Sequence, residues 1–231
     1  FTTWQKGLEG KGWNALYIEN HDHPRIISRY GSEQYWKESG KMLAPMYMLQ
    51  RGTPFIYQGQ EIGMLNIALP RLDMYKDVMT FNAARIAGKL MPKGRVLKLI
   101  QARSRENART PMQWSGEANA GFSTAAPWFY VNSNYHTINV RAEEDDPDSI
   151  LNFYRRLIKF KKENPVAIYG SYNELMHESR KLYVYEREYE GERLLVVCSF
   201  TNELVRFELP EDRPLEKGEL VLANYEHNFV I

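Results

Sequence analysis

Six consecutive residues, Asn20-His21-Asp22-His23-Pro24-Arg25, set an amide, two imidazoles, a carboxylate and a guanidinium side by side. Such a cluster is costly to bury without a task to perform. From the residues alone it reads equally as a solvated loop pinned by an Asp–Arg pair. A second set, Ser104-Arg105-Glu106-Asn107-Ala108-Arg109-Thr110-Pro111-Met112-Gln113-Trp114, places two arginines four residues apart among amides and an indole. Arginine donates planar forks to hydroxyls and carboxylates, so this set suits a polyol. It also suits an arginine-rich loop held by local acids. A third, Gly52 to Gly63, brackets Gln58, Gln60 and Glu61 with glycines that permit tight turns after a strand.

The elements around these sets form a pattern. Trp13 to Ile18 is an apolar, aromatic run that predicts a buried strand ending at the first polar set. Pro24 forces a loop there. Glu33 to Leu49 carries apolar residues at three- and four-residue steps and predicts a helix, with Gly52 following it. Thr53 to Tyr57 predicts a second buried strand, with Pro54 near its start. Strand, polar loop, helix, strand, polar loop is a βαβ arrangement with chemistry gathered at the strand C-terminal ends.

Residues 71–101 are helix-prone, interrupted at Pro92 and Gly94, and 101–135 predict a long irregular segment of functional type. Asp148 is placed to cap a helix from Ser149 to about Lys162, which Asn164-Pro165 stops. After Pro165 the helical period disappears. Lys181 to Tyr189 and Arg193 to Phe200, around Glu190-Gly191, predict a hairpin. Val205 to Leu209, Glu219 to Tyr225 and the terminal Asn228 to Ile231 predict further strands. These divide the chain into 1–165 and an antiparallel β domain over 166–231.

Composition narrows the function classes. The 231 residues carry a formal net charge of +1, with 26% charged and 43% hydrophobic. The basic residues are spread among acids, so nothing electrostatic favours nucleic acid or an anionic membrane as partner. No run of about 18 apolar residues exists to span a bilayer. The single cysteine, Cys198, lies in an apolar run and fits a packed thiol in a reducing, cytoplasmic compartment.

The three sets, in this order and spacing, resemble the oligo-1,6-glucosidase branch of the α-amylase superfamily. The resemblance continues through Ala120-Gly121-Phe122-Ser123, Pro127-Trp128, Val131-Asn132, Ile138-Asn139-Val140 and Tyr169-Gly170-Ser171-Tyr172. It implies a (β/α)8 TIM barrel followed by an antiparallel β-sandwich, with 1–165 holding the seventh and eighth strands and the closing helices and 166–231 most of the sandwich, truncated. It implies Asp22 as the carboxylate that stabilises the transition state, with His21 and Arg105 binding the same glucose ring. Asn20 and Arg25 are implied as structural residues of that site.

Glu106 stands where the family usually has Asp, one methylene shorter. The family's nucleophile and acid/base motifs have no match here, so the expectation is a fragment, inactive and poorly folded alone, of a retaining α-glucosidase. The resemblance implies a short oligosaccharide as partner and a monomer as the full enzyme, with no cofactor and no metal ligand among these residues, any calcium or magnesium site lying upstream. Other members of the same fold are sucrose isomerases, trehalose-6-phosphate hydrolases and non-catalytic escort subunits of transporters.

Overall fold

In a computed structural model, which describes residues 1–214 and 217–225, the chain divides into two compact units. One comprises 1–17, 37–55 and the chain from Phe153 onward; the other comprises 18–36 and 56–152. The predicted strand Asn228 to Ile231 lies outside the described residues.

The helices are α1 (Thr2–Leu8), α2 (Ile26–Tyr30), α3 (Trp36–Met48), α4 (Val78–Ala87), α5 (Lys93–Arg103), α6 (Val140–Glu144), α7 (Ile150–Glu163) and α8 (Pro165–Tyr169). The strands are β1 (Ala15–Leu16), β2 (Thr53–Pro54), β3 (Ser171–Glu174), β4 (Leu182–Tyr189) and β5 (Glu192–Ser199).

In the first unit β1 and β2 run parallel, Ala15 opposite Thr53 and Leu16 opposite Pro54. Both are shorter than the apolar runs suggested, and the runs are not wholly buried. Leu16 and Ile18 are covered while Trp13, Tyr17 and Phe55 are exposed. Successive strand side chains face opposite ways, and here only one face is covered. Gly52 enters β2 at φ +144°, where a Cβ would fall on the Asn14 carbonyl.

The predicted hairpin is present. β4 and β5 pair antiparallel from Leu182–Ser199 to Tyr189–Glu192, and the turn places Glu190 and Gly191 at positive φ. β3 adds on the other side of β4. The alternation of β5 buries Leu194, Val196 and Cys198. Burial pushes the Cys198 thiol up to about 12, as an inert core group.

The fold corrects four expectations. Val205 to Leu209 and Glu219 to Tyr225 form no strands: Val205, Phe207 and Leu209 are half-buried in alternation with exposed Arg206 and Glu208 but pair with no described strand, and Leu220 and Val221 stay exposed. Pro165 begins a helix as well as ending one. Its fixed φ and missing N–H suit the first turn of α8. The cap of α7 is Ser149, whose Oγ accepts the Asn152 N–H at 3.1 Å, rather than Asp148. The run is interrupted between Ala87 and Lys93, with Pro92 as the N-cap of α5, but Gly94 lies inside that helix and breaks nothing.

Two cations sit in the interior of the first unit with no carboxylate on them among the described residues. Arg187 of β4 donates to the carbonyls of Leu49, Ala167, Ile168, Gly170 and Ser171. Lys161 of α7 donates to those of Met48 (2.6 Å), Gln50 (2.8 Å) and Ala167 (3.2 Å).

The second unit has its own core. Ile67, Leu69, Tyr75, Ala87, Val96, Ile100 and Phe129 form one buried cluster beneath α4 and α5. Ile62, Met64 and Met112 form another. No described helix is long and apolar enough to cross a membrane.

Candidate active site

All of the site described here lies in the second unit. Its foundation is a buried ion pair. Arg25 is fully covered, and its Nη1 donates to Glu19 Oε2 at 3.1 Å and to the Gln58 carbonyl at 2.7 Å. Glu19 Oε1 accepts the Ile26 N–H at 2.6 Å, and the Arg25 N–H reaches Asn66 Oδ1 at 2.9 Å. The guanidinium also lies 5.5 Å from the Tyr57 ring centre. A buried pair is retained when further hydrogen bonds accompany it; here they serve both groups but leave Arg25 Nε buried without a hydrogen-bond partner. Burial pushes the Glu19 carboxyl up, and Arg25 opposes it.

That brace closes the chain between residues 19 and 26 into a loop whose tip projects. Asn20 Oδ1 accepts the Asp22 N–H at 2.8 Å, a side chain imitating a backbone turn. His21 and Asp22 are thereby presented, with side chains 67% and 48% exposed. His21 Nε2 lies 3.4 Å from Asp22 Oδ2. Gly59, at φ +87°, lets the Gln58 loop approach. A Cβ there would stand 3.1 Å from Arg25 Nη1 and collide with the Met64 side chain. Glu61 is part-buried behind this brace, its carboxyl raised first by burial and lowered in part by Arg25.

Two arginines converge on Asp22 from the second motif. Arg105 Nη1 donates to Asp22 Oδ1 at 3.1 Å and Arg109 Nη2 donates to the same oxygen at 2.9 Å. Arg109 Nε also donates to the His21 carbonyl at 2.8 Å, so it fixes the backbone of the tip. Asp77 stands on the far side. It takes Arg105 through Nε and through Nη2 (3.0 Å), and lies 3.8 Å from Arg109 Nη1. Two carboxylates and two guanidiniums thus form a neutral quartet, with His21 at its edge.

Asp77 is itself held in place. Its Oδ1 caps α4 by accepting the Met79 N–H at 2.9 Å. Glu106, buried, accepts the Lys76 N–H at 2.6 Å through Oε1 and the Thr80 hydroxyl at 3.1 Å through Oε2. The longer acid at position 106 therefore grips the residues on both sides of Asp77. The chain of restraint runs from Glu106 through Asp77 and Arg105 to Asp22.

The electrostatics follow. Desolvation works to raise the Asp22 carboxyl, but His21 and the Arg105 and Arg109 guanidiniums outweigh it and hold the group below the usual carboxylate range. The Arg105 hydrogen bonds pull Asp77 down likewise. Arg105 is raised in turn, mostly by Asp77. Asp22 is ionised at neutral pH, and an ionised carboxylate only accepts hydrogen bonds. Its Oδ1 is taken by two arginines. Its Oδ2, facing His21, points to where a donor hydroxyl can bind.

The structure brings Asp22, His21 and Arg105 together, sets Asn20 beneath them as a turn, and places Arg25 in the loop foundation. Arg109, the second of the two spaced arginines, joins them, and so do Asp77 and Glu19, which the motifs gave no role. Asp77 carried one local signal, an Asp directly before a helix-forming run. Among the described residues no group of three or more His, Cys, Asp and Glu side chains could hold a metal ion.

Comparison with known proteins gives a consistent picture. The family profile described as the alpha amylase catalytic domain matches residues 1–170. An oligo-1,6-glucosidase of Bacillus cereus is 44% identical over 230 residues, covering 97% of this chain and 41% of that protein. A trehalose-6-phosphate hydrolase of Escherichia coli is 39% identical, covering 98% of this chain and 41% of its own. Among solved structures, a trehalose-6-phosphate hydrolase of Bacillus licheniformis superposes with a TM-score of 0.92 at 39% identity, over 96% of this chain and 41% of that one. An isomaltulose synthase of Protaminobacter rubrum gives 0.85 at 38% identity, over 90% and 38%. The chain spans about two-fifths of the length of these relatives.

Proposed function

This chain belongs to the alpha-amylase catalytic-domain family, and on that premise we propose that it supplies the glucose-gripping part of a retaining α-glucosidase acting on short oligosaccharides. In this reading β1 and β2 are the seventh and eighth strands of a (β/α)8 barrel. Residues 1–165 belong to that barrel, and the three-stranded sheet that follows belongs to a C-terminal β-sandwich.

One observation carries the reading: a half-exposed carboxylate, Asp22, immobilised by Arg105 and Arg109 on one oxygen, with the other oxygen beside His21. A retaining glycosidase passes through an oxocarbenium-like transition state, and hydrogen bonds to the ring 2-hydroxyl strengthen there. A fixed anion that accepts such hydroxyls is worth more as positive charge develops at the anomeric carbon. Asp22 fills that role, His21 binds the same ring, and Arg105 positions Asp22 and contacts the sugar. The escort-subunit alternative gives no reason for a quartet held this tightly around an exposed carboxylate.

The reaction also needs a nucleophile and an acid/base carboxyl about 5 Å apart. No acid in this chain stands in either family motif. With the second unit packed around its own buried core, the 231 residues by themselves are expected to bind a glucose ring and not to hydrolyse p-nitrophenyl α-glucoside. Calorimetry with methyl α-glucoside is expected to show binding that Asp22→Asn and Arg105→Ala each weaken. Turnover of the nitrophenyl substrate above background refutes the assignment of roles, and binding indifferent to Asp22→Asn refutes the site.

A further inference from the structure

Charge is even over the whole chain but not along it. Residues 78–104 carry six basic side chains, Arg85, Lys89, Lys93, Arg95, Lys98 and Arg103, and no acid. The formal charge of +1 therefore divides into +6 on this segment and −5 on the rest. The segment is α4, a short turn and α5, and the two helices pack on one another over the buried cluster of the second unit. All six basic residues are exposed, and no carboxylate pairs with any of them among the described residues. The expectation of no anionic partner rested on the whole-chain balance, which does not describe this surface.

α4 adds an apolar stripe to this charge. Thr80, Ala84 and Ala87 turn towards the core. Met79, Ala83, Ile86 and Leu90, at steps of four, three and four, line one flank of the helix and of the hydrogen-bonded turn that continues it. Met79, Ile86 and Leu90 are 61%, 60% and 83% exposed. Arg85 and Lys89, four residues apart, share the outward face beside that stripe. A helix with cations next to exposed aliphatic side chains is the pattern of a membrane-surface contact. Six unpaired cations repel a second copy of the same face. Single-stranded nucleic acid takes the charge, but it is held by stacking on aromatic rings, and the stripe has none. An anionic bilayer uses both features. Its headgroups meet the Lys and Arg heads, whose long stems reach past the stripe, and its acyl boundary receives the aliphatic side chains.

We propose that the surface of α4 and α5 is a docking face for an anionic phospholipid bilayer, with Met79, Ile86 and Leu90 entering the headgroup boundary and the six cations lying on the headgroups. The contact is peripheral and reversible, and it does not depend on the sugar reading of the quartet. Aliphatic insertion gives it a part that salt does not screen, and the cations give it the choice of lipid.

The test is flotation of the full chain with vesicles of phosphatidylcholine alone and of phosphatidylcholine with about 30% phosphatidylglycerol. The anionic vesicles are expected to bind about 100-fold more tightly at low salt, and to lose about 10-fold as sodium chloride rises through the physiological range. Arg85→Glu with Lys89→Glu is expected to weaken that binding about 10-fold or more. Lys6→Glu with Lys11→Glu changes the net charge equally on exposed residues of the first unit, and is expected to change binding little. Ile86→Ser with Leu90→Ser is expected to cost about 10-fold and to leave the remainder more salt-sensitive. All these positions are exposed, and a circular dichroism spectrum of each variant checks that the fold persists. Equal binding to the two kinds of vesicle, or to neither, overturns the proposal. Equal losses for the two charge reversals overturn it as well, since net charge then explains the binding. Indifference to the Ile86 and Leu90 changes overturns the insertion of the stripe. Tight binding of single-stranded oligonucleotide or of polyglutamate, with the vesicles left free, overturns it in favour of nucleic acid or an acidic protein. A dimer in sedimentation equilibrium that the Ile86 and Leu90 changes dissolve overturns it in favour of a second copy.

Discussion

Replacing Asp77 separates its two tasks. Asp77→Asn keeps an oxygen for the Met79 N–H, since Asn caps a helix about as well as Asp. It removes the charge that Arg105 holds through two nitrogens. Hydrogen bonds to charged groups contribute about 1.5–3 kcal/mol when dry. The Asp77 side chain is only 6% exposed, but Arg105 and Arg109 are 29% and 27% exposed, so solvent screens part of that. About 1–2 kcal/mol of unfolding free energy is the expected loss. Asp77→Ala removes the cap as well and costs about 1 kcal/mol more.

Urea unfolding at neutral pH measures both, through the midpoint at constant slope. The same two proteins then report on function. With Arg105 released from Asp77, Asp22 loses a fixed partner, and methyl α-glucoside is expected to bind several-fold more weakly. If Asp77→Asn lowers stability as stated yet leaves sugar affinity untouched, the chain of restraint from Glu106 to Asp22 is wrong. If Asp77→Ala is no less stable than Asp77→Asn, the capping assignment is wrong.

Two further predictions concern the supports of the fold. Burial, with the Arg187 charge second, lowers the Lys161 ammonium to about 7, against about 10.4 in an unfolded chain. Between those values the unfolded chain binds the extra proton, so stability should rise as pH climbs from about 7 towards 10. Lys161→Met should flatten that rise, and equal slopes for the two proteins in denaturant titrations at pH 7, 8 and 9 would contradict it. Gly59→Ala puts a Cβ at φ +87° against Arg25 and Met64. It is expected to cost about 1–3 kcal/mol and lower the melting temperature, more than Ala at the open Gly94.

How far the sequence carried depends on whether the relevant interaction was local. The hairpin at Glu190-Gly191 was legible because turn chemistry and alternation lie within twenty residues of each other. The helix ending at Met48 was legible from its period. Asp22, His21 and Arg105 were legible through motif resemblance. Asp77 was not, because its partner Arg105 is 28 residues away, and nothing short-range distinguishes a capping Asp from one that also pairs with an arginine. Arg109 stood in view as one of two spaced arginines, but spacing does not say which carboxylate it meets. Val205 to Leu209 shows the converse: alternation that half-buries one face makes no strand without a partner edge.

The interior placement of Arg187 and Lys161 has a consequence for how the protein responds to its ionic surroundings. Their counter-charge is spread over carbonyl oxygens at and just beyond the C-terminal ends of α3 and α8, where helix dipoles are negative. Dissolved ions cannot reach such partners, whereas they reach the half-open quartet readily. Raising sodium chloride should therefore erode the grip on Asp22 long before it loosens the sheet, so that sugar recognition and fold integrity part company along a salt gradient.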